Sequence, residues 1–136
     1  MPFGAFHRHG FARVGAATPR VALADPLENA RSTLQLARRA ADDGADLVVF
    51  PELGLSGYSI DDLHMQDGLL NAVEDAVAAV VEGTRDLSSV LLVGAPLRRK
   101  GRLYNCAVAI SRGRNLGVVP KSVSYTHLTL PTNREV

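Results

Sequence analysis

A chain of 136 residues, 46% hydrophobic and 21% charged, has room for one sizeable core and little for a second domain. A formal net charge of +1 gives no electrostatic case for nucleic acid or an anionic membrane as partner, and no stretch approaches the roughly 18 consecutive apolar residues of a membrane span. A single cysteine, Cys106, excludes an internal disulfide and favours a reducing, cytoplasmic setting.

The opening segment, MPFGAFHRHGFARV, lacks the apolar core of a signal peptide. His7 and His9 have no further donors at ligand-like spacing, so no metal site is expected. Phe11 to Thr18, with small and β-branched residues, reads as a first strand. Asp25-Pro26 then marks a helix start, Asp25 capping and Pro26 taking the first helical position. Leu27, Ala30, Leu34, Ala37 and Ala41 follow at helical spacing, and Gly44 ends the helix.

Leu47 to Phe50 is a short apolar run with the look of a buried strand. It ends in Pro51 and a carboxylate, Glu52, before a long loop to Asp67 that carries Gly54, Gly57 and Tyr58. Long loops in compact domains are often functional. A second helix is predicted from about Leu69 to Glu82, with Leu70, Val73, Val77, Val80 and Val81 as its apolar stripe. Ser89 to Pro96 is a third buried strand. RLYNCAVAI and NLGVVPK are two more, joined by the polar turn SRGRN. The basic cluster Arg98, Arg99, Lys100 and Arg102 reads as a solvated hairpin tip.

Strand, helix, strand, helix, strand and hairpin together predict a layered α/β domain with a mixed sheet. Right-handed crossovers put both helices on one face. The other face has no evident cover.

Two strands end in the same way. The first runs into Pro51 and Glu52, the last into Pro120 and Lys121, and proline closes each because it lacks the ladder's donor. Ligands of open α/β sheets sit at strand ends. A carboxylate and an ammonium delivered there suit a general base beside a cation that stabilises an oxyanion. The same pair, judged on spacing alone, can equally be a solvated ion pair worth about 0–1 kcal/mol.

FPELGLSGY together with VVPKS resembles the carbon–nitrogen hydrolase, or nitrilase, superfamily. The similarity extends through HGFARVGAAT, DDGADLVVFPEL, LSGYSIDDL and VGAPLRRKGRLYNCAVAI, covering residues 3 to 122. In that arrangement it is similar to the amino-terminal glutaminase domains of actinobacterial glutamine-dependent NAD synthetases. The resemblance implies the first half of an α-β-β-α sandwich and a Glu-Lys-Cys triad acting on glutamine. Glu52 matches the base that deprotonates the thiol, and Lys121 the residue that stabilises the tetrahedral intermediate. Tyr58 is a tentative member of the substrate pocket. The implied intact protein is a cytoplasmic homo-oligomer whose separate synthetase domain uses ATP and Mg. A free-standing amidase and a non-catalytic module that pairs through its open sheet are the alternative readings.

The pattern breaks in two places. Cys106 alternates with Tyr104, Val108 and Ile110 on a strand and does not match the family's nucleophile, which lies beyond the lysine. Val123 to Val136, VSYTHLTLPTNREV, departs from the family and reads like a translated sequencing adapter. Genuine coding is therefore expected to end near Ser122. With no nucleophile and half a sandwich, the chain alone is expected to be inactive.

Overall fold

The computed structural model describes residues 6–58 and 66–121. Residues 59–65 of the long loop and 122–136 of the tail lie outside the described residues. A 3-10 turn at Phe6–His9 precedes β1 (Val14–Ala16), α1 (Pro26–Asp42) and β2 (Leu47–Val49). Then come α2 (Asp67–Gly83), β3 (Val90–Arg99), β4 (Arg102–Ser111) and β5 (Arg114–Pro120). The strands lie side by side in chain order, with β1, β2 and β3 parallel and β4 and β5 continuing as an antiparallel meander. This is the mixed sheet expected from the sequence.

Local chemistry explains the element ends. The Asp25 carboxylate accepts the Glu28 amide at 3.3 Å, and Pro26 opens α1 without leaving a donor unpaired. Gly44, with φ of 86°, donates to the Ala41 carbonyl and turns the chain back toward β2. β1 is shorter than the apolar run suggested because its one neighbour, β2, pairs only from Leu47 to Val49. The basic cluster does form a hairpin tip. Lys100 and Gly101, both at positive φ, link Arg99 to its partner Arg102.

Both helices pack on one face of the sheet. Val48, Leu91, Val93, Val108 and Ile110 meet Ala30 and Ala37 of α1 and Val73, Ala76 and Val80 of α2. Each such Val, Leu or Ile contributes about 1.5–3 kcal/mol by leaving water. Side chains one step along the strands point the other way. There Val14, Val49 and Val119 are exposed, and no described residue covers them.

Candidate active site

Glu52 owes its position to a turn built on buried leucines. Phe50 makes the last ladder bond of the strand, donating to the Leu92 carbonyl at 2.9 Å, before Pro51 interrupts pairing. The amides of Gly54 and Gly57 then close the turn on the carbonyls of Pro51 and Leu53, at 3.1 and 2.8 Å. Leu53 and Leu55 are buried beneath it, while Glu52 stays partly in solvent. Two glycines of the loop, Gly54 and Gly57, are the residues freest to bend it. Gly57 does take a positive φ, but the other left-handed residue is Leu53, at φ of 54°. A non-glycine residue there costs of order 1–3 kcal/mol and is retained where its surroundings over-determine it.

Two neighbours fix the turn. Asn29 of α1, buried, donates to the Leu55 carbonyl at 3.0 Å and exchanges hydrogen bonds with the backbone of Ala22 at 2.8 Å. From below, β3 approaches through Gly94. A Cβ there would lie 2.4 Å from the Pro51 carbonyl oxygen and 2.5 Å from the Leu53 nitrogen. Only a residue without a side chain lets the strand carry the backbone of Glu52 this closely.

Lys121 arrives from the opposite edge. Its amide donates to the Asn105 carbonyl at 2.7 Å, extending the β4–β5 ladder one residue past Pro120. Its Nζ then donates to Glu52 Oε1, in a short ion pair. The side chains of Lys121 and Glu52 remain 34% and 39% exposed, so the pair itself adds little to stability.

Asn105 was not singled out from the sequence. It is buried in β4, and its Nδ2 donates to the same Glu52 Oε1 at 2.6 Å. The available signal was a carboxamide inside an otherwise apolar strand, since a buried amide needs a partner. Glu52, Asn105 and Lys121 border a groove of about 370 Å³ that runs onto the open sheet face over Val49, Gly94 and Val119.

The other residues weighed from the sequence do not join the Glu52–Lys121 pair. Tyr58 is exposed and does not line this groove. Cys106 follows Asn105 in β4, so its side chain leaves the opposite face. Its thiol is buried, donates to the Tyr104 carbonyl at 3.6 Å, and is pushed up to about 11 by burial. His7 pairs with the Asp46 carboxylate at 2.7 Å. Among the described residues no group of three or more His, Cys, Asp or Glu side chains could hold a metal ion.

The arrangement brings together a carboxylate and an ammonium that follow strand ends and a carboxamide donor from within β4, beside an open apolar floor. The family pattern described as carbon-nitrogen hydrolase matches residues 12–136, a span that includes the tail after Ser122. The glutamine-dependent NAD(+) synthetase of Mycobacterium tuberculosis is 55% identical over 135 residues, 99% of this chain. The chain spans about a fifth of that relative's length, 19%. Among solved structures, a glutamine-dependent NAD(+) synthetase from Cytophaga hutchinsonii superposes with a TM-score of 0.76 at 22% identity, over 82% of this chain and 19% of that one. A glutamate-to-glutamine mutant of an amidase from Nesterenkonia sp., with acrylamide added at its active-site cysteine, gives 0.73 at 20% identity, over 92% of this chain and 51% of that one. At such identities the superpositions speak for the fold.

Proposed function

The chain belongs to the carbon–nitrogen hydrolase family, and on that footing we propose that it is the leading part of a glutaminase domain that feeds ammonia to an NAD(+) synthetase. The reading rests on one observation above all. The Glu52 carboxylate, after β2, and the Lys121 ammonium, after β5, meet beside an open groove.

Glutamine lies in that groove with its side-chain amide toward Glu52. Glu52 takes the proton of a cysteine thiol, and the sulfur attacks the amide carbon. The oxygen of the tetrahedral adduct gains negative charge, which the Lys121 ammonium stabilises. Protonated Glu52 gives that proton to the amide nitrogen, so that collapse breaks the C–N bond, expels ammonia and leaves a thioester, which water hydrolyses to glutamate. The attacking cysteine comes from a part of the protein beyond this chain. Cys106 is buried, reluctant to ionise and on the wrong face of β4.

The ammonia then serves to amidate nicotinic acid adenine dinucleotide in a separate domain that uses ATP and Mg. No residue of this chain is assigned to either. The second half of the sandwich covers the open sheet face in the intact protein, which works in the cytoplasm as a homo-oligomer. Support for the synthetase over a free-standing amidase comes from the 55% identity to the mycobacterial enzyme.

The test is made on the full-length reading frame that carries this chain. The expected frame continues through a strand-end cysteine and an ATP-using domain, and its product releases glutamate from glutamine. A frame that stops after a complete hydrolase domain, with turnover of simple amides and no synthetase activity, would replace this reading with a free-standing amidase.

A further inference from the structure

We propose that Asn105 is the positioning residue of the site, holding Glu52 by Oε1 so that Oε2 receives the thiol proton. The proposal rests on the glutaminase reading above and adds to it a division of labour between the two carboxylate oxygens.

Both hydrogen-bond donors that reach Glu52 from described residues reach the same oxygen. Asn105 Nδ2 donates to Oε1 at 2.6 Å, and Lys121 Nζ donates to Oε1 as well. Oε2 accepts no hydrogen bond from a described residue. Charge-assisted bonds of this kind are short and about twice as strong as neutral ones, so the carboxylate is held by one side and presents the other.

Asn105 differs from Lys121 in how it is mounted. It is 3% exposed and sits within the long pairing of β3, β4 and β5, where strand neighbours on both sides limit its movement. Lys121 has a flexible four-carbon stem and follows the end of its strand. Asn105 also bridges the pair. Its side chain holds the acid, and its backbone carbonyl accepts the Lys121 amide at 2.7 Å. One residue thus sets the relative position of base and cation.

The uncharged carboxamide is the group this task requires. It donates to the carboxylate without placing a second cation beside it. In the step itself the S–H bond breaks, an O–H bond forms at Oε2, and the electron pair stays on sulfur to attack the amide carbon. Asn105 retains its bond to Oε1 throughout.

The experiment uses full-length protein and glutamine as substrate. Asn105→Ala is expected to lower kcat by roughly 10–100-fold while leaving KM within about threefold, because the loss falls on the proton-transfer step. On a Glu52→Ala background the same substitution is expected to cost nothing further, since Asn105 acts only through that carboxylate. Should Asn105→Ala fail to fold, Asn105→Ser, whose hydroxyl is too short to reach Oε1, takes its place. A wild-type kcat in the Asn105 variant, or an equal loss on both backgrounds, overturns the assignment. Full turnover in Glu52→Ala alone overturns the glutaminase reading instead.

Discussion

Lys121 and Glu52 are 69 residues apart in the chain, and the fold closes that distance to a direct ion pair. The meeting follows from topology. Two strands, β3 and β4, lie between β2, which leads to the acid, and β5, which leads to the lysine, yet β5 brings Lys121 back beside Asn105, within reach of Glu52. An exposed pair of this kind contributes little to folding, so its removal isolates chemistry from stability.

Replacing Glu52 with Gln in the full-length protein is therefore expected to lower glutamine turnover by roughly 100- to 10,000-fold. Lys121→Met is expected to cost about 100- to 1,000-fold by leaving the oxyanion without its cation. Both variants are expected to use free ammonia for synthesis as the parent does. Glutamate release and ammonia-supported synthesis, measured side by side, check this.

Gly94 offers a structural counterpart. In Gly94→Ala the new methyl meets backbone atoms of Pro51 and Leu53 well inside contact distance, so the turn that carries Glu52 must move. The expected result is a loss of about 1–3 kcal/mol in stability. Glutamine turnover is expected to fall further than that loss alone accounts for. Denaturant unfolding and kcat on the same preparation separate the two.

How far the sequence disclosed this arrangement depends on the range of the interaction. Asp25, Pro26 and Gly44 act on residues within one helical turn, and their positions were readable directly. The strand-end acid and lysine were readable because proline punctuates both strands. Gly94 was not, because its role exists only once the 50s turn lies across β3. Leu53 takes the left-handed conformation between a buried side chain and a fixed backbone, although glycine follows it in the sequence. Asn105 lay in plain view as a polar residue in an apolar strand, but its partner is 53 residues away and belongs to no local motif.

Cys106 is expected to be dispensable for catalysis. Cys106→Ala in the full-length protein keeps glutamine turnover and costs about 1 kcal/mol of stability. The pH dependence has a definite sign. Burial raises the thiol from its ordinary value of 9.0 to about 11 in the folded chain. Its contribution to stability is thus complete below pH 9.0 and is lost as pH rises toward about 11, where the folded thiol also ionises. Alkaline unfolding curves with and without Cys106 measure that window, and the loss of stability across it is expected to be smaller in the alanine variant.

The 136-residue chain by itself is expected to release no glutamate and to self-associate through its open sheet face. Val49 and Val119 lie on that face, so Val49→Lys and Val119→Lys are expected to reduce association. Light scattering across a concentration series follows it. A monodisperse, glutamine-hydrolysing chain would contradict the proposed need for the rest of the protein.

The most direct measurement is mass spectrometry of the full-length protein quenched during its first turnover of glutamine. The account predicts a glutamyl thioester on a cysteine beyond Lys121, formed readily by the parent and at least 100-fold more slowly in Glu52→Gln. A thioester on Cys106, or one that forms at the parental rate without the Glu52 carboxylate, would contradict it.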